Sequence, residues 1–104
     1  MANKEKLNKI NNELKVFINE SSFISMKCRN KIIKYLGEEF NIKFDIDNYK
    51  NVDLKIKEDG TIIYRGDVYK SNDEIKSFKE VEERYNRFKE KAESLIYKKE
   101  IDFK

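Results

Sequence analysis

The sequence predicts an α+β fold, a single domain over residues 1–104 in the order α-α-β-β-β-α, with a three-stranded antiparallel meander packed against helices. Three observations predict it. Apolar residues recur at helical spacing in two N-terminal stretches and one long C-terminal stretch, the period falls to two between residues 42 and 69, and 104 residues with no proline and three glycines contain no linker signature.

Leu7, Ile10, Leu14, Phe17 and Ile18 fall within an arc of about 100° at helical spacing, which predicts an amphipathic helix over about 4–19. Ser21 or Ser22 then offers an N-cap for a second helix, about 23–39, in which Ile24, Cys28, Ile32, Tyr35, Leu36 and Phe40 cover one face. Gly37 is expected to mark its fraying end. Arg29 projects toward the apolar side, where it has to snorkel or pair.

Ile42, Phe44 and Ile46 alternate with charged residues, as do Val52, Leu54 and Ile56, so strands are expected at about 42–47, 52–57 and 61–69. The apolar pattern also chooses the turn at Glu58-Asp59-Gly60. A two-residue Asp59-Gly60 loop would set Leu54 against Arg65, whereas a three-residue loop pairs Ile56 with Ile62 and Leu54 with Tyr64. The second needs Gly60 in the left-handed position of a G1 bulge. Ser71-Asn72-Asp73-Glu74 has the form of a capping box and is expected to open a last helix over about 72–98. Its Phe78, Val81, Tyr85, Phe88, Ala92 and Leu95 are spaced three and four apart. A parallel coiled-coil pair through this seam would oppose Arg84 to Lys89, so the seam is expected to cover its own sheet, in a monomer or weak homodimer.

The chain has no histidine, which removes the usual neutral-pH proton shuttle and the commonest metal ligand. Cys28 is the only cysteine, so neither an internal disulfide nor a cysteine-rich zinc site can form, and a small core residue is its expected role. Asp53-Leu54-Lys55 has the D-x-K form of some metal-dependent nucleases, with Asp45 and Asp47 nearby, but three residues recur by chance and solvent suffices to explain outward aspartates. No catalytic residue, metal or cofactor is therefore expected.

The formal charge is +3, from 23 basic and 20 acidic residues. The first fifty residues hold 10 basic and 7 acidic groups and the remainder 13 of each, so the excess lies in the first half. Part of it is concentrated as Lys27, Lys31 and Lys34, one stripe of the second helix with Asn30 beside it. Tyr49-Lys50 and Tyr69-Lys70 form Tyr-Lys pairs at opposite ends of the meander, a composition found at interfaces. These seven residues are the candidate partner-binding set. With no leader-like or membrane-spanning apolar run, the expected location is the cytoplasm.

From the second helix onward, the order α-β-β-β-α over about 23–98 resembles that of double-stranded-RNA-binding domains. That family carries a lysine cluster at the start of its last helix, where this chain has Asn72-Asp73-Glu74, so the likeness is one of topology. Small cofactor-free α+β chains rich in lysine, isoleucine and asparagine also look like phage accessory proteins, anti-CRISPR inhibitors among them. The expectation is a non-enzymatic inhibitor or regulator of phage or mobile-element type that binds another protein or a ribonucleoprotein. The alternative is a nucleic-acid-binding protein that uses the lysine stripe.

Overall fold

A computed structural model describes residues 2–44, 53–64, 67–69 and 74–97, with backbone alone at 2 and 67–69. Three helices, α1 (Ala2–Ile24), α2 (Met26–Phe40) and α3 (Phe78–Tyr97), surround one hydrophobic cluster to which the strands β1 (Leu54–Ile56) and β2 (Ile62–Tyr64) also contribute. The α+β class is as expected. No helix among the described residues is long and apolar enough to cross a membrane.

The first two helices meet at one residue. Ser21 and Ser22, expected to cap α2, are the last turn of α1 instead, because both hydroxyls donate to the Ile18 carbonyl, at 2.9 and 2.8 Å, and stay helical. Ser25 takes the capping role with extended backbone, its hydroxyl accepting from the Cys28 amide at 3.0 Å. Ile24 consequently closes α1, 37% exposed, rather than lying on the buried face of α2. Cys28 is in the core, where burial pushes its thiol pKa up.

The hairpin follows the apolar register. Leu54 pairs with Tyr64 and Ile56 with Ile62, Gly60 has φ 87°, and its amide donates to the Lys57 carbonyl at 3.0 Å. The Asp59 carboxylate accepts from the Thr61 amide at 2.9 Å, a bond that holds its pKa below the ordinary value. The expected third strand, 61–69, is not continuous: Tyr64 pairs with Asp67 and Ile63 with Val68, so Asp67–Tyr69 (β3) lies antiparallel along β2. Two residues, one of them Gly66, separate the paired ends, a hairpin signal that the reading of one long strand overlooked. Residues 42–44 form no strand, and the rest of the 42–47 segment lies outside the described residues. The expected meander of 42–47, 52–57 and 61–69 is thus not shown, and the core-lining part of the sheet is the β1–β2 hairpin.

The outer edge of β1 is closed by α1. Ile56 is a non-hydrogen-bonded partner of Ile62, so its peptide groups point away from β2. The Asn11 carboxamide meets both, donating to the Ile56 carbonyl at 2.9 Å and accepting from its amide at 2.8 Å. One helical side chain thereby stands in for a neighbouring strand.

The last helix begins at Phe78, not 72. Ser77 and Glu80 repeat the S-x-x-E pattern of Ser71 and Glu74, and it is Ser77 whose hydroxyl accepts from the Glu80 amide, at 3.4 Å. Ile75 between the two candidates packs against the core, which a helix from 72 would have to turn. The helix start is therefore Lys76-Ser77-Phe78-Lys79 instead of Asn72-Asp73-Glu74. Its apolar seam is buried in its own chain but faces α1 and α2 more than the strands: Phe88 meets Phe17 edge-on at 5.9 Å. Tyr85 donates to Glu13 at 3.1 Å, and burial, with the Glu13 carboxylate second, raises its pKa.

Two stability tests follow from these turns and edges. Gly60→Val should cost about 1–2 kcal/mol, because a β-branched residue is strained at positive φ; a denaturation midpoint equal to that of the wild type would reject the bulged turn. Asn11→Leu should cost about 2–3 kcal/mol by orphaning both peptide groups of Ile56, whereas Asn12→Ala, exposed beside it, should stay within about 0.5 kcal/mol. Equal effects of the two in urea melts would show that the edge needs no cap.

Candidate functional site

The inward face of α2 carries Cys28, Arg29, Ile32, Ile33, Leu36, Gly37 and Phe40, all buried. Its opposite stripe carries Lys27, Lys31 and Lys34 at i, i+4 and i+7. The lysine stripe expected from periodicity is therefore placed where the sequence put it, with Lys27 and Lys34 exposed and Lys31 half-buried.

The end of α2 makes this stripe one wall of a groove. Asn41 takes the left-handed conformation, φ 58°, and the Ile42 amide donates to the Gly37 carbonyl at 2.8 Å, a Schellman closure that reverses the chain. Residues 42–44 then run back against the helix at Gly37. A Cβ built there would overlap the Ile42 carbonyl oxygen and stand 3.3 Å from the Phe44 ring. Gly37 is thus a point of close approach inside the helix, not its fraying end.

The resulting groove has a volume of about 790 Å³. Lys27, Lys31, Lys34 and Lys43 line it together with Asn30, and Gly37, Ile42 and Phe44 give it an apolar floor. Phe44 is fixed from behind by Tyr64, ring to ring at 5.5 Å. Arg29, 1% exposed, donates from Nη2 to the Asn30 Oδ1 at 2.9 Å, so it engages the carboxamide oxygen of Asn30. Among the described residues, no carboxylate lies within ion-pair distance of the four lysines.

The cations of α3 are used differently. Arg87 and Lys91 reach Glu39 at 2.8 and 3.2 Å, Lys89 reaches Glu13 at 3.4 Å, and Arg84 donates to the Glu39 carbonyl at 2.9 Å. Burial works against the charge of Glu39, yet hydrogen bonds and charge from Arg87 and Lys91 outweigh it and hold its pKa below the ordinary carboxylate range. Against the helix dipole, α2 is charged the wrong way at both ends: Lys27 sits in the first turn, and Glu38 and Glu39 in the last. Such placements cost roughly 0.3–1 kcal/mol each. The α3 cations offset the C-terminal mismatch, while nothing described offsets Lys27.

Of the other candidates, Tyr69 contributes backbone to β3, and Tyr49, Lys50 and Lys70 lie outside the described residues, as do Asp45 and Asp47. The groove keeps Asn30 beside the stripe, as expected, and adds Lys43 and the Ile42-Phe44 floor, residues the sequence reading did not assign to a site. Gly37 followed four residues later by an asparagine was the signal available for that reversal. Asp53 is exposed, and no group of three histidine, cysteine, aspartate or glutamate side chains among the described residues could hold a metal ion.

Gly37→Ala tests the groove wall. Alanine in an open helix gains up to about 1 kcal/mol over glycine, but here the added methyl displaces the Ile42 carbonyl, and a net loss of about 1–3 kcal/mol is expected. A raised Tm would show that residues 42–44 do not press on Gly37.

Comparison with protein-family models, curated proteins and solved structures gives no match to this chain.

Proposed function

We propose that this protein is a non-enzymatic binding module that takes an acidic segment of a protein partner into the α2 groove. One observation carries the reading: Lys27, Lys31, Lys34 and Lys43, without an ion-pair partner among the described residues, line one groove over an apolar floor. Charges placed against a helix dipole and left uncompensated are a cost to the fold, and such departures gather at functional sites. A desolvated apolar floor with a charged rim is the anatomy of a protein interface. The lysines supply complementarity and association rate, and the floor supplies affinity. Inhibition or regulation of that partner, in the cytoplasm and in a phage or mobile-element setting, is the biological form that composition favours for this proposal.

Nucleic acid is the second reading, supported by the line of lysines along α2. Four lysines release few counterions, too few for tight binding to a phosphate backbone at physiological salt.

Reversal of Lys27, Lys31 and Lys34 to glutamate separates the two. Lys27 and Lys34 are exposed and Lys31 lies on the same outward stripe, so the triple variant should stay folded by circular dichroism. Wild-type affinity for duplex DNA, duplex RNA and single strands should be weaker than about 1 μM at physiological salt. Tighter binding that steepens at low salt and vanishes in the triple variant would transfer the function to nucleic acid.

A further inference from the structure

We propose that the occupant of the groove is an acidic amphipathic α-helix of about four turns, supplied by the protein partner. The inference rests on the function proposed above and gives the partner's segment a conformation. Two dimensions point to it. From Lys27 to Asn41 the groove follows fourteen residues of α2, about 21 Å at helical rise, the length of a four-turn helix. The lysines rise about 6 Å from Lys27 to Lys31 and about 4.5 Å from Lys31 to Lys34, a spacing that carboxylates at i, i+4 and i+7 of a neighbouring helix reproduce. An extended chain repeats its same-face side chains every ~6.8 Å and falls out of step by the third.

The apolar side of such a helix has a place to go. Met26, Asn30 and Gly37 lie on one line of α2, and the last two line the groove. Met26, 41% exposed, extends that line to the open N-terminal end, so an apolar stripe on the incoming helix runs from Met26 to the Ile42-Phe44 floor while its acidic stripe meets the lysines. Charge selects the partner and the floor selects its amphipathicity. This is the helix-in-groove mode of recognition.

The probe is a labelled sixteen-residue peptide with glutamates at i, i+4 and i+7, leucines on the adjoining stripe and alanine elsewhere. It is compared with a peptide of the same charge and leucine content carrying one central proline, and with a duplex DNA, by fluorescence anisotropy against the full chain. The helical peptide should bind about tenfold more tightly than the proline peptide. Lys31→Glu with Lys34→Glu should weaken it by about tenfold or more, while the melting curve of that variant stays that of the wild type. Equal binding of both peptides, still lost in the double variant, would overturn the helical conformation and leave the acidic-segment reading standing. Peptide binding indifferent to the double variant, or lysine-dependent binding of DNA alone, would overturn both. No binding of the helical peptide at millimolar concentration would overturn the inference.

Discussion

Everything else in this molecule is arranged around the burial of α2. Seven of its fifteen residues are buried, Arg29 among them, and both α1 and α3 lie against it. That leaves one stripe for solvent, on which Lys27, Lys31 and Lys34 are followed by Glu38. A helix so enclosed does not depend on its own electrostatics: with lysine at its start and glutamates at its end it would be a poor helix alone, and packing carries it. The fold then restores only half of what the sequence of α2 lacks. Arg84, Arg87 and Lys91 answer the glutamates at its end, and the lysines at its start and along its outer face face the groove.

Enclosure also explains the two places where the backbone is held by a specific residue. At one end Ser25 is the whole connection between α1 and α2: its amide donates to Ser21, its carbonyl accepts from Arg29, and its hydroxyl caps Cys28. At the other end Gly37 and Asn41 let the chain turn back at a distance no side chain would allow. Between them the helix is set at a fixed angle to α1, and the segment 42–44 is set at a fixed distance from the lysines. The groove is a consequence of this local chemistry, because a longer connection or a bulkier residue 37 would leave the stripe on an open surface.

Much of this was legible in the sequence where a pattern had only one physical solution. Leu54, Ile56, Ile62 and Tyr64 could all face inward only with a three-residue loop, and Gly60 was the residue able to take positive φ there. The lysine stripe followed from helical periodicity alone. Legibility failed where two equivalent signals competed. Three serines stand in five residues at 21–25, and which one caps depends on whether a hydroxyl finds a carbonyl in its own helix first. Ser71 and Ser77 each precede a glutamate by three residues, and the choice between them was made by the core contact of Ile75, a tertiary fact. The break in the expected third strand was missed because 61–69 was read as one run, whereas Tyr64 pairs with Asp67.

The second wall of the groove was hidden by a subtler ambiguity. Ile42, Lys43 and Phe44 alternate apolar and charged, and alternation was taken to mean a strand. In the structure Ile42 is half-buried, Lys43 exposed and Phe44 buried, so the alternation is obeyed, yet no ladder is formed. A period of two reports that successive side chains point to opposite sides of an extended backbone; it does not report what the backbone lies against. Here it lies against a helix, brought there by the Schellman turn and admitted by Gly37. The same alternation that sends Phe44 inward to Tyr64 sends Lys43 outward to join the three lysines of α2, and that is why the fourth cation of the groove comes from outside the helix that supplies the others.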